Sequence, residues 1–538
     1  MLRMTDASRS CFSTRSQLCV LSVVTGSLLS LGLRAQVPMN ALGLDIGYFD
    51  DGLFARNAIA LARGDSLGPF DVVTLSKGPA YPLFIALTHR FGIALPVGEQ
   101  QTYLLGAGCL AGCYWRVTHR PVVAVVVYLV LAFDPANFAT TNDRILRDSW
   151  YSGLSLLLLG LLFLTVHCAV RHTRLIWVLS LAALTGLTGA AFWLCREAGA
   201  WLLPAALLVI LGLPLTAVIG RYRSSGRPGP AAGDLVRRAI PVALTLAVLA
   251  GTGFAAIAAV SAKNERTYGV SVTSDFAAGT FPEDYAAWSR IRGVPPETIS
   301  LRPFVPINTA QRAAAAAVNP AARELQPELT DPDFLAKWAG QGCATVGIIC
   351  DDLAGGWAPW AIRDAARFAG RANIATDLQA YFRAVADEIN AACADGRLTC
   401  APALPSALQP FLRASIGDTL RSAGYWLIQV PVNADYYSWS CDAQEPIPLS
   451  ATARSMLQEG VTGVPATEAD AAAEVSGFDE LSWLYTSLSS ISIAGFVVLL
   501  GMSLVGGALG RCWRHDGPGN RCYGFCCSAC WSELRLGW

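Results

Sequence analysis

The feature that most limits what this chain can fold into is a series of apolar runs, each close to the roughly 20 residues a helix needs to cross a bilayer. They lie at about 18 to 33, 97 to 115, 119 to 139, 150 to 170, 175 to 194, 200 to 219, 239 to 261 and 485 to 509. In lipid a segment must satisfy its own backbone hydrogen bonds, and a helix does so within itself. The expected fold is therefore mainly α, a polytopic transmembrane helical bundle of about eight spans. A further apolar stretch, 79 to 96, is interrupted by Pro82, His89, Arg90 and Pro96 and reads as a helix lying along the outer surface.

Charge divides the chain. Only 15% of the 538 residues are charged, and the formal net charge of zero conceals a partition: 26 acidic and 16 basic side chains fall in residues 262 to 484, against 14 and 24 elsewhere. The basic residues sit in short loops beside apolar runs rather than in a stripe on a compact domain. The bilayer, not nucleic acid, is the partner this implies. With the N-terminus cytoplasmic, the inner segments hold Arg3, Arg9 and Arg15; Arg116 and Arg120; Arg171 and Arg174; and Arg221, Arg223, Arg227, Arg237 and Arg238. Only Asp6 and Asp234 oppose them, as the enrichment of cations in cytoplasmic loops requires.

The resulting organisation is a seven-span module over 1 to 261 with an outer loop at 34 to 96, a large extracytoplasmic domain at 262 to 484, and a last span at 485 to 510. The first run reads as an uncleaved anchor, because Leu33-Arg34-Ala35 lacks the small residue expected two before a cleavage point. The outer domain reads as mixed and largely helical. Leu378, Tyr381, Phe382, Val385 and Ile389 recur at helical spacing, while the aromatic segment from Tyr425 to Tyr437 reads as a strand broken at Pro431. Cys343 with Cys350, and Cys393 with Cys400, are evenly spaced disulfide candidates. A zinc site is the rival, but the domain contains no histidine and neither spacing is a common ligand pattern. Cys441 is left over.

Two segments of the first outer loop carry candidate chemistry. Asp50 and Asp51 open a short helix whose Phe54, Ala58, Leu61 and Ala62 share one face and which Gly64 ends. One acid capping the helix and the other favouring its dipole is the plain structural explanation. Further on, Thr74-Leu75-Ser76-Lys77-Gly78-Pro79-Ala80-Tyr81 places one of only three lysines, against 37 arginines, just before the in-plane segment. There an ammonium lies at the level of lipid phosphates, where it either snorkels to the lipid surface or serves a specific site.

These residues carry a resemblance. The acidic pair opening a helix that ends in Gly64-Asp65, then Lys77-Gly78-Pro79, then Leu146-Arg147-Asp148-Ser149-Trp150-Tyr151 and Cys195-Arg196-Glu197-Ala198-Gly199 at the starts of later spans, resemble the integral-membrane GT-C glycosyltransferases. The nearest branches are the aminoarabinose lipid A transferases and the protein O-mannosyltransferases, and the likeness covers roughly residues 15 to 261. The resemblance implies a multi-pass enzyme of the bacterial inner membrane that moves a sugar from a polyprenyl-phosphate donor to a glycan, lipid or protein acceptor on the outer face. It implies Asp50 as catalytic base with Asp51 as its acidic neighbour. Lys77, Arg147 and Arg196 would bind the donor phosphate, and Asp148, Glu197 and Tyr81 would line the substrate pocket, the two acids orienting those cations or binding the sugar hydroxyls. Some relatives use a divalent cation, for which Asp50 and Asp148 would be the ligands. The chain departs from the family in having Ser76 and Gly78 beside the lysine and an arginine at Arg196.

From Arg511 to Trp538 the composition changes abruptly, with five cysteines and three tryptophans. Cys522, Cys526, Cys527 and Cys530 suggest a zinc cluster, but the shift reads better as out-of-frame translation that leaves the enzyme truncated. Two other function classes compete with the transferase. A transporter predicts charges buried at mid-membrane and broken helices. A membrane receptor predicts a ligand-binding outer domain together with a cytoplasmic output domain.

Overall fold

The computed structural model describes residues 14–35, 50–138, 144–171, 174–196, 199, 202–212, 214, 232–292, 307–339, 353 and 357–402. All of them fall in one of the two units into which the chain divides, Met1–Arg421 with Tyr436–Ala473. The expected span at 485–510, the segment Tyr425 to Tyr437, Cys343, Cys350, Cys441, Glu197 and the tail 511–538 lie outside the described residues.

The protein is mainly helical, and among the described residues four helices are long and apolar enough to cross a membrane. These are α1 (Thr14–Arg34), α6 (Asp148–Val170), α7 (Leu175–Cys195) and the Ile240–Tyr268 part of α9 (Ala232–Tyr268). Their outer faces carry Leu21, Leu28, Ile176 and Phe254 largely exposed, as lipid-facing surfaces do. On α7, Trp177 and Trp193 are exposed near opposite ends, about 24 Å apart along the axis, the placement of interfacial aromatic belts.

The structure shortens one of the expected spans, at 119 to 139. Between α1 and α6 lie α2 (Asp50–Arg63), α3 (Ala80–Arg90), α4 (Leu95–Thr118) and α5 (Pro121–Ala132). The helices α3 and α4 pass the test for a span only together, and they bend by 111° at the break between them. The expected run at 119 to 139 contains only the 12 residues of α5, about 18 Å of helix, because a 3-10 turn at Pro135–Phe138 follows it. At 200 to 219 the described residues include α8 (Leu203–Gly212), and most of the run beyond it lies outside them.

Close backbone approach packs α4 on α6. A Cβ on Gly153 would lie 2.9 Å from the Tyr103 nitrogen, and one on Gly106 would lie 2.7 Å from the Leu157 nitrogen. Polar side chains tie α1 to α4 and α5: Ser30 Oγ donates to the Ala132 carbonyl at 2.7 Å and accepts from Gln100 Nε2 at 2.8 Å.

The last described apolar helix continues past the expected boundary at 261. Helix α9 runs unbroken to Tyr268, carrying Lys263, Glu265 and Arg266 past its apolar part. Beyond it come α10 (Phe281–Trp288), α11 (Thr309–Val318), α12 (Pro320–Glu324), α13 (Gln326–Leu329), α14 (Pro332–Ala339), α15 (Ala358–Phe368) and α16 (Ala375–Ala394). Asn308 starts α11 with a capping box shared with Gln311. Helix α16 buries Leu378, Tyr381, Phe382, Val385 and Ile389, the face its spacing predicted. They pack with Phe281, Trp288 and the alanine-rich face of α15. Among the described residues this region contains no strand, only a single antiparallel bridge from Ile291 to Cys400. The Cys393–Cys400 disulfide, with its Cα atoms 5.5 Å apart, holds the turn that makes this bridge.

Candidate active site at the converging helix ends

Helix α2 is buried by depth rather than by stripe. Its first two turns, including Asp51, Phe54, Asn57 and Ala58, are nearly all enclosed, whereas Ala62, expected on the buried face, is exposed. Gly64, at φ +89°, turns the chain out of the helix, and its N–H donates to the Leu61 carbonyl at 3.1 Å. The helix therefore enters its surroundings acid end first.

The two acids have different fates. Asp51 is fully enclosed; Arg144 Nη2 donates to one carboxylate oxygen at 2.5 Å and the Ile145 N–H to the other at 3.1 Å. Burial raises its pKa above the ordinary carboxylate value, partly offset by Arg144 and these hydrogen bonds. Asp51 is thus a buried tether between α2 and the segment before α6. Asp50, one residue earlier, is half-buried and has no ion pair or hydrogen bond among the described residues.

The other predicted residues converge on the end of α7. Arg147 is buried and its Nη1 donates to the Cys195 carbonyl at 3.0 Å. Asp148 and Arg196 form an ion pair that crosses from the start of α6 to the end of α7. The Arg196 guanidinium lies over the Tyr151 ring at 5.5 Å, and that ring stacks on Phe192. Gly78 packs so closely on this helix end that a Cβ would collide with the Leu194 carbonyl. The residue type after the lysine is explained by this contact, and Lys77 is carried to the same place.

Tyr81 lies in the core beneath the site, not on a pocket wall. It is fully buried, edge-on to Phe54 at 5.1 Å, and its hydroxyl donates to Glu99 Oε1 at 2.6 Å. Glu99 in turn pairs with Arg34 at 3.6 Å, both side chains buried. Asp148 is an electrostatic neighbour of Glu99, as Asp51 is of Tyr81. Phe54, Tyr81, Ile145, Trp150, Phe192 and Cys195 make one cluster, so α2, α3, α6 and α7 share the apolar floor under these charges.

Lys77 does not reach out along a lipid surface. Its ammonium lies 5.2 Å from the Phe276 ring centre and 5.1 Å from that of Trp360, both contributed by chain beyond α9. Sequence reasoning missed these two rings, as well as Arg34, Glu99 and Arg144. For Glu99 a signal existed, a lone acid at the head of an apolar run; for Trp360 there was none.

Among the described residues no group of three or more His, Cys, Asp or Glu side chains forms a metal-binding cluster. Asp148 is engaged by Arg196, so Asp50 and Asp148 do not fit the divalent cation that the resemblance implied, and no reaction step is routed through one. A separate cleft of about 260 Å³ lies behind α2, lined by Arg56, Arg63, Asp65, Asp71 and Thr74. Set against known protein families, curated proteins and solved structures, the chain matches none of them.

Proposed function

We propose that the protein is a membrane glycosyltransferase that moves a sugar from a polyprenyl-phosphate donor to a glycan, lipid or protein acceptor on the outer face of a bacterial inner membrane. In this reading the helices up to α9 form a GT-C-like membrane module, with the region after α9 extracytoplasmic. The observation that carries it is the meeting of separate sequence motifs at the outer helix ends. Asp51 ties the head of α2 to 144–145, Arg147 and Asp148 tie the head of α6 to the end of α7, and Gly78 seats Lys77 against that same end.

The chemistry depends on which groups are engaged. Asp50, with no partner among the described residues, accepts the proton of the acceptor hydroxyl as that oxygen attacks the sugar's anomeric carbon. The bond from that carbon to the phosphate oxygen breaks, and its electron pair leaves with the polyprenyl phosphate. Lys77 and Arg196 stabilise the departing charge, while buried Arg147 holds the helix end that carries them. With base and leaving group on opposite faces of the sugar, the displacement inverts the anomeric centre.

One observation favours a transporter as a second reading, the buried Arg34–Glu99 pair beside the bend between α3 and α4. The two readings separate in a deletion strain carrying wild type, Asp50→Asn or Lys77→Ala at matched expression, with envelope glycans and polyprenyl-linked sugars profiled by mass spectrometry. The transferase reading expects only wild type to restore a missing sugar, with Asp50→Asn slower by about 10²–10⁴-fold. Equal restoration by all three makes the acidic pair a helix cap and ends this reading.

A further inference from the structure

The loop that carries Lys77 is seated on the end of α7 at Gly78 and is fastened from a second side as well. From Gly68 to Ser76, its backbone is held by the end of α9 and the chain beyond it. Tyr268 OH donates to the Gly68 carbonyl at 2.8 Å, Ser274 Oγ to the Ser76 carbonyl at 2.9 Å, and the Asp275 N–H to the Leu75 carbonyl at 2.7 Å. Val72 inserts into the core formed by α10, α15 and α16. Arg363 of α15 is buried; its Nε donates to the Val72 carbonyl at 3.0 Å, Nη2 donates to the same oxygen, and Nη2 pairs with Asp275 Oδ2 at 3.0 Å. Gln379 of α16 donates to the other oxygen of Asp275 at 2.7 Å. The same guanidinium lies over the rings of Phe276 and Phe281, at 5.6 and 5.4 Å.

Phe276 comes directly after Asp275, and Trp360 stands one helical turn before Arg363 on α15. Anchoring Asp275 and Arg363 to the loop therefore also sets the two rings that face the Lys77 ammonium. Ring faces attract a cation without neutralising it, so the two rings help to fix its position.

We propose that Phe276 and Trp360 are positioning residues for Lys77, so that the region after α9 forms one wall of the site rather than a separate module above it. The proposal rests on the reading of Lys77 as a phosphate-binding group only for its purpose; the aromatic clamp is testable without any ligand. A preference for a polyprenyl phosphate monoester over a neutral lipid results from combining the two.

The small lysine count makes the test clean. Full-length protein in nanodiscs is treated with limiting acetic anhydride, and acetylation of Lys77 is measured by peptide mass spectrometry relative to exposed Lys263. Loss of a ring is expected to raise the Lys77 to Lys263 ratio about three- to tenfold in Trp360→Ala, and Trp360→Phe is expected to restore most of the wild-type value. If Trp360→Ala does not fold, Trp360→Leu keeps the bulk without the ring face and is expected to raise the ratio in the same way. An unchanged ratio in the folded Ala or Leu variant and in Phe276→Leu overturns the proposal.

Adding a C55 polyprenyl phosphate to the wild-type nanodiscs distinguishes the two layers. Protection of Lys77 by the lipid, weakened in Trp360→Ala, supports both. No protection, with the Trp360 effect intact, leaves the clamp standing and removes the phosphate role from Lys77.

Discussion

Two buried carboxylate–guanidinium pairs anchor the two sides of the site, and they are built differently. Beyond α9, Asp275 and Arg363 are both almost fully enclosed, at 2% and 1% exposure, and each has further hydrogen-bond partners. At the head of α2, Asp51 is equally buried, but Arg144 keeps 27% of its surface in solvent. The first pair is closed on every side; the second closes only at the acid. A pair enclosed at both ends acts as a rivet even with Arg363 Nη1 left without a hydrogen bond, whereas a pair with one wet end borders an opening. Burial raises the pKa of both acids, and in both the partner arginine and hydrogen bonds oppose that shift.

The contrast fails if the two pairs cost the same to cut. Asp275→Ala leaves Arg363 charged with no route to water, and a loss of about 3–5 kcal/mol is expected, seen as poor yield and a collapsed melting transition in detergent. Asp51→Ala leaves Arg144 free to rehydrate, so about 1–3 kcal/mol is expected by the same assay. A larger loss for Asp51→Ala than for Asp275→Ala would reverse the assignment of rivet and rim.

Gly78→Ala probes the wet side through the backbone. The added methyl meets the carbonyl of Leu194, which cannot swing aside as a side chain would. About 1–3 kcal/mol is expected, read as a lower melting temperature, together with a change in the acetylation of Lys77, because the clash shifts the backbone next to it. A melting loss with Lys77 acetylation unchanged would mean that the contact serves packing alone.

The smallest effect concerns Asp284, buried on α10 with Trp288 Nε1 as the donor to its Oδ1 at 3.0 Å. Its Oδ2 is buried without a hydrogen bond, and burial raises its pKa well above the ordinary carboxylate value. Folding is therefore favoured by this group below its unfolded pKa, near 3.8, and that contribution is lost as pH rises through the elevated folded value. Asp284→Asn should raise Tm by about 2–4 °C near neutral pH and flatten the dependence of Tm on pH. A variant with an unchanged slope would show that the carboxyl ionises in place.

How much could be read from the sequence depends on the range of each interaction. Helices α6, α7 and α9 were legible because each apolar run is long and local, as was α16 from the spacing of Leu378 to Ile389. The run around Val122 to Leu131 was misread because hydropathy does not register the turn at Pro135, which stops the helix after 12 residues. In the site, Asp50, Lys77, Arg147, Asp148 and Arg196 were visible as charges flanking apolar runs. The tethers around them were not, since Arg144 meets Asp51 across 93 positions and Arg363 meets Val72 across 291. Tyr81 was placed in a pocket because its polar tip was visible, while the Glu99 that accepts its hydrogen bond was not connected to it by any local pattern.

Helix α9 passes from its apolar part to Tyr268 without a joint, and Tyr268 is fastened to Gly68. A continuous helix is a screw as well as a rod. Each inserted residue advances the chain beyond it by about 1.5 Å and turns it by about 100°. Register along α9 is therefore quantised. One extra residue after Pro241 would swing Phe276 and the anchor of Trp360 off the loop, whereas about seven, close to two full turns, would bring them back facing Lys77 but lifted by about 10 Å. The length of this helix is in that sense a dimension of the site.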